Sequence, residues 1–297
     1  MKIALLQFAP DVGTVQANIK KADQLLQQSK LPLDLDWLIL PEMAFSVGYP
    51  ERTTDPTPIN YNSTVTVSPG GTILANYRKS FLYYTDETWA AEPSDRFSIT
   101  TLGSLGPVIQ GICMDINPYR FTAPWSDYEF ATAALQPAPF PQGPNANMSL
   151  GQRPSEYPNP HNPVTLPTPG GKNDHESGGG TASNNPLIVL SMAWLSYLTP
   201  SEIAGESSSP DVATVAYWVE RFQPIVERSK QEPGKPWYVV LSNRCGIEKS
   251  VCYAGSSTVV KIESGDVTLF ETCGRGEEKI IVIDLDSAPK FSVKSGR

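Results

Sequence analysis

Histidine is almost missing from this chain: there are two in 297 residues, His161 and His175. Both stand in a stretch crowded with proline and glycine, so no imidazole is placed on a regular element to activate a nucleophile or hold a metal. Cysteine is scarce as well. The four present, Cys113, Cys245, Cys252 and Cys273, form no Cys-x-x-Cys pair and have no histidine beside them. That argues against a zinc site and against a disulfide-stapled secreted fold, and favours a reducing, cytoplasmic setting. Basic residues are outnumbered, 23 against 31 acidic, for a net charge of −8. A nucleic-acid partner, which needs a basic stripe, is not expected. No apolar run approaches the roughly 18 residues of a membrane span, so no membrane partner is expected. The apolar opening at 1–9 is broken by Gln7 and followed by Pro10 and Asp11 in place of a small-residue cleavage site. It reads as a first strand, not a signal peptide.

What the chain does contain is a series of short β-rich apolar runs, at 3–9, 37–40, 64–67, 73–77, 108–113, 187–192, 237–242, 258–262, 267–270 and 280–284. Two pairs read as hairpins, joined by Ser68-Pro69-Gly70-Gly71 and by Ser264-Gly265, with the glycine chemistry such turns require. Helical spacing of Val15, Ile19, Ala22, Leu25 and Leu26 predicts a helix over 11–29, with Thr14 as its cap. A second helix is predicted over 210–230, from Val212, Val215, Val219, Phe222 and Val226. Strands mixed with amphipathic helices give an α/β class. The interval at about 136–186 holds eleven prolines and seven glycines, a composition that resists helix and central strand alike. It is read as an insertion within one domain spanning 1–297.

Three side chains at the ends of apolar runs carry the chemistry. Cys113 ends the run Gly111-Ile112-Cys113-Met114-Asp115, Glu42 follows Leu40-Pro41, and Lys79 follows Tyr77-Arg78. Each alone has a plain reading: a small buried thiol, a solvated strand end, a surface lysine. A thiol of ordinary pKa near ~8.5 is only a few per cent thiolate at neutral pH, so a nucleophilic Cys113 needs a base other than histidine.

The ordered motifs Leu40-Pro41-Glu42 with Gly48-Tyr49, Tyr77-Arg78-Lys79, Gly111-Ile112-Cys113-Met114-Asp115, and Asn243-Arg244 with Gly255-Ser256-Ser257 together resemble the nitrilase superfamily of carbon–nitrogen hydrolases. The run from Cys113 to Tyr119, with Pro124-Trp125 after it, is similar to the eukaryotic branch that deamidates N-terminal Asn and Gln. The resemblance implies a four-layer α-β-β-α sandwich, in some relatives paired through a helix face. It implies a catalytic set of Glu42 as base, Lys79 as oxyanion donor and Cys113 as nucleophile, with Glu87 holding Lys79 and the Met114 backbone N–H as a second oxyanion donor. No metal or organic cofactor is implied. The implied substrates are peptides or proteins beginning with Asn or Gln, whose deamidation feeds N-degron turnover.

For the substrate's α-ammonium, Asp115 is one candidate ligand, with Asn117 adding a carbonyl acceptor; the competing reading of Asp115 is a helix cap. Tyr49, Tyr119, Trp125 and Trp194 are candidate pocket walls. Other chemistries of the superfamily remain open on these residues: a free-acid ω-amidase, a nitrilase or a carbamoyl hydrolase, with Arg244 as an anchor for an acidic ligand. A non-catalytic binding domain is the remaining alternative.

Overall fold

The computed structural model describes residues 1–11, 13–41, 48–54, 57–136 and 185–293. In chain order these form β1 (Lys2–Gln7), α1 (Val15–Gln28), β2 (Trp37–Ile39), β3 (Gly48–Arg52), β4 (Asn60–Val67), β5 (Ile73–Arg78), β6 (Ile99–Thr101), β7 (Pro107–Ile112), α2 (Glu129–Ala134) and β8 (Leu187–Met192). They continue as α3 (Pro200–Gly205), α4 (Val212–Glu220), α5 (Gln223–Gln231), β9 (Trp237–Asn243), β10 (Ile247–Glu248), β11 (Val251–Cys252), β12 (Thr258–Glu263), β13 (Asp266–Thr272), β14 (Lys279–Asp284) and β15 (Phe291–Val293).

Every expected strand is present. The sheet of order β15-β13-β12-β9-β8-β7-β6 has the parallel strands β7, β8 and β9 at its heart. All six residues of β8 are buried, the run of a strand covered on both faces. One face of this sheet packs on α2, α4 and α5 through Ile109, Phe130, Leu190, Trp218 and Phe222. The other meets the sheet β14-β1-β2 through Val108, Val189, Val240, Leu5, Ile39 and Ile281. Behind that second sheet, Leu6, Phe8 and Leu40 pack on Ala22 of α1. Helix, sheet, sheet, helix: the order of layers is the α-β-β-α sandwich. The described residues all fall in one compact unit, while most of the 136–186 interval, with His161 and His175, lies outside them.

The predicted helix over 210–230 is two helices. Pro224 has no N–H to donate, and its ring crowds the carbonyl of Glu220, so the chain breaks at Arg221 and Phe222 and restarts. Thr14 precedes α1 but makes no side-chain cap; the side chain of Asn18 instead closes the entry, accepting from Asp11 N at 2.9 Å and donating to Asp11 O at 2.7 Å. Strand β3, which carries Pro50, is not among the expected runs. It lies at the edge of the sheet β3-β4-β5, where a proline's missing donor is tolerated.

Gly111 is fixed by space. A Cβ there would lie 2.8 Å from Phe130 Cε2 and 3.1 Å from Leu190 Cδ2. Gly111→Ala is therefore expected to destabilise the fold by about 1–3 kcal/mol through overpacking. Urea denaturation reads this directly, and an unchanged midpoint would show that Phe130 yields freely.

Candidate active site

Cys113 follows the last residue of β7 and opens a short 3-10 helix, Cys113–Ile116. Its φ is +43°, the left-handed region that a residue with a side chain enters at a cost of about 1–3 kcal/mol unless its surroundings hold it there. All four cysteines are described, and Cys113 alone among them is half-exposed, the other three being buried. Burial pushes the Cys245 and Cys273 thiols up to about 12.

Lys79 leaves β5 on the inward side. Side chains alternate along a strand, so buried Tyr77 and Lys79 share one face while Arg78 takes the other. Arg78 is clamped to Glu51 of β3 and draws that carboxyl down to about 2. The stability this pair adds is present above the ordinary carboxylate range and is lost as pH falls toward 2. Lys79 is 2% exposed, and its Nζ lies 2.7 Å from Asp86 Oδ2. The same carboxylate accepts from Tyr83 N at 3.0 Å and from Asn62 Nδ2 at 3.3 Å. The expectation that Glu87 holds Lys79 is corrected by one position. Glu87 is exposed and faces Arg120 at 3.7 Å, because the 3-10 turn Asp86–Thr88 rolls only its first residue inward.

Two strand exits far apart in sequence meet at Asp115, which is completely buried. Its Oδ1 accepts from Ser80 N at 3.0 Å and Phe81 N at 2.8 Å, directly after Lys79. Its Oδ2 accepts from Ile112 N at 2.7 Å, directly before Cys113, and from Tyr77 Oη at 2.7 Å. A carboxylate has about four lone-pair sites, and these donors fill them, leaving none for a substrate ammonium. The ligand reading of Asp115 is therefore corrected, and so is its place as a cap: Ile112 holds the N-cap position, and Asp115, the third residue of the 3-10 helix, reaches back to accept from the Ile112 N–H. Burial raises its carboxyl to about 6 against the pull of its donors and of Lys79. A native pKa above the unfolded one means that ionisation costs stability as pH rises through that window.

Asn117 is also engaged within the fold. It is buried, with its Oδ1 receiving the Tyr217 hydroxyl at 2.6 Å. The Met114 side chain is buried, and its backbone N–H lies in the first turn of the 3-10 helix, where amides have no partner within the helix.

Sequence reasoning missed Tyr83 and Arg221. The Tyr83 hydroxyl is pushed up by burial and then by negative charge on Cys113, while Lys79 pulls it down, so it lies within electrostatic reach of both. Arg221, delivered by the break after α4, donates to Ile116 O and to Trp125 O, each at 2.7 Å, and stacks on Trp125. It fixes the far end of the nucleophile's turn. Of the aromatic wall candidates, Trp125 and Trp194 both pack on Tyr217. Tyr119 packs on Phe81, and Tyr49 lies out on β3, bonded to Asn76.

Glu42 lies outside the described residues. The chain leading to it is held in place: Ser191, the register partner of Ile112, donates to Leu40 O at 3.0 Å. Arg244 is 3% exposed, donates to Pro10 O at 2.9 Å, faces Glu248 at 3.5 Å and lies over the Tyr253 ring. Its charge is engaged inside the fold.

No family model matches the chain. It is 26% identical over 328 residues to a protein N-terminal amidase of Schizosaccharomyces pombe, across 96% of this chain and 100% of that one. Among solved structures it is similar to an N-terminal amidase with an Asn-Glu-Ala peptide, at a TM-score of 0.67 and 19% identity over 99% of both chains. The likeness extends to an N-terminal amidase with a Gln-Val peptide, at a TM-score of 0.65 and 18% identity over 95% of this chain and 96% of that one. A Nesterenkonia amidase from the nitrilase superfamily superposes at a TM-score of 0.52 and 14% identity, over 96% of this chain and 90% of that one. The chain is thus similar in sequence to a protein N-terminal amidase and in its layered fold to amidases that include one from the nitrilase superfamily.

Proposed function

We propose that this protein hydrolyses the side-chain amide of an N-terminal asparagine or glutamine, giving aspartate or glutamate and ammonia through a cysteine acyl-enzyme. The observation that carries this reading is the Asp115 junction, which brings the exit of β5, with Lys79, against the exit of β7, with Cys113. Substrate class follows the N-terminal amidase relatives.

Glu42 takes the Cys113 proton, and the sulfur attacks the amide carbon. Negative charge moves to the amide oxygen, where the Lys79 ammonium and the Met114 N–H stabilise it; one such donor is worth about 3–4 kcal/mol at the transition state. Glu42 passes its proton to the departing nitrogen, which leaves as ammonia. A water then gives a proton to Glu42 and attacks the thioester carbon, and the sulfur leaves and regains its proton. Asp86 keeps Lys79 charged and oriented, since an opposite charge within ~4–6 Å favours the ionised form. A ligand carrying its own carboxylate would want a free cation, and the engagement of Arg244 works against that alternative. Among the described residues no helix is long and apolar enough to cross a membrane.

Peptides starting with Asn, Gln, Asp and Gly, each with a free or an acetylated α-amine, test the reading by mass spectrometry. The free Asn and Gln peptides should exchange NH2 for OH, and their acetylated forms should persist. Turnover of acetylated and free peptides at equal rates would defeat it.

A further inference from the structure

Asp115 does more than close a turn. Its four donors come from two separate strand exits, β5 to Phe81 on one side and β7 to Cys113 on the other. Three of the four are backbone N–H groups, whose directions are set by the path of the chain. The carboxylate therefore fixes one exit against the other, with Lys79 one residue before Ser80 and Cys113 one residue after Ile112. We infer that Asp115 is a positioning residue for catalysis, holding the Cys113 sulfur and the Lys79 ammonium at the separation that addition to an amide carbonyl requires. This rests on the reading that Cys113 and Lys79 carry the reaction.

The burial of a charge here supports the assignment. Only an ionised carboxylate, with no proton of its own, accepts from four donors at once. An asparagine keeps the shape but turns an NH2 toward one pair of them. Tyr77 can rotate its hydroxyl toward Ser80 Oγ, already 3.0 Å away, but the backbone donors cannot turn. Either the arm carrying Lys79 or the arm carrying Cys113 must then let go.

Asp115→Asn should lower kcat by about 100-fold or more, since a misplacement of about 1 Å between reacting groups has that scale of effect. KM should stay within about threefold of the unaltered protein, because Asp115 has no lone pair left for substrate. Alkylation of Cys113 by iodoacetamide should slow in the same variant, measured where a thermal melt shows it folded. Tyr77→Phe removes one donor, keeps the buried ring and leaves all backbone donors in place. It should lower kcat by about tenfold at unchanged KM. If Asp115→Asn does not fold, Tyr77→Phe decides. A folded Asp115→Asn enzyme with wild-type kcat, or a Tyr77→Phe enzyme with wild-type kcat, would overturn the inference. Should the substrate reading be wrong, the unaltered protein would turn over none of the peptides, yet slowed alkylation of Cys113 would still report the positioning.

Discussion

Serine in place of Cys113 is expected to lower kcat for amide hydrolysis by at least about 10^4-fold, the scale on which losing a nucleophile acts in hydrolases, with the fold left intact. The exchange is nearly isosteric, and the left-handed backbone at φ +43° is held by contacts that do not involve the sulfur: Asp115 on Ile112 N and Arg221 on Ile116 O. What changes is the proton. A carboxylate base of ordinary pKa near ~4.3 must take it from a thiol near ~8.5, a gap of about 4 units, and a hydroxyl lies far beyond that. Among the described residues there is no histidine to serve as a stronger base. The same thiol should label first with iodoacetamide near neutral pH. Cys245 and Cys273 are buried and pushed up to about 12, and burial also raises Cys252. Retained turnover in Cys113→Ser, or faster labelling at any other cysteine, would remove Cys113 from the reaction.

Lys79 and Cys113 were singled out by their places along the chain together with the resemblance, not by either residue's surroundings alone. Each stands directly past an apolar run, and strand alternation already puts Lys79 on the face of buried Tyr77. The choice between Asp86 and Glu87 was not legible. Two acids in a row look alike until the tight turn from Tyr83 rolls one inward and the other out toward Arg120. Asp115 was misassigned for a related reason. Three of its four donors come from 34 to 38 residues upstream, and Asn117 meets its hydroxyl from 100 residues downstream, so only the folded chain shows what these acceptors hold. The layers were readable from the apolar runs together with the resemblance. The helix break at Arg221 was readable in principle, since Pro224 stood in plain view; its consequence, an arginine aimed at the nucleophile's turn, needed the tertiary structure.

Lys79→Met is expected to fail in two separable ways. The Asp86 carboxylate, 7% exposed, loses the cation 2.7 Å from it and keeps, among the described residues, the amide donors of Tyr83 and Asn62. Breaking a buried pair from one side costs about 3–5 kcal/mol, because the charge left behind cannot recover its hydration. Separately, the amide oxygen loses its ammonium at the transition state, a loss of about 10^2–10^3 in kcat. Pairing Lys79→Met with Asp86→Asn tells the two apart. The double variant no longer leaves the Asp86 carboxylate without its cation, so it should recover stability in urea denaturation relative to Lys79→Met, while peptide turnover stays as low as in Lys79→Met alone. The cycle needs all four proteins, since these residues touch and their effects will not add. If activity returned together with stability in the double variant, Lys79 would be a structural cation, and the stabilisation of the oxyanion would have to come from elsewhere in the site.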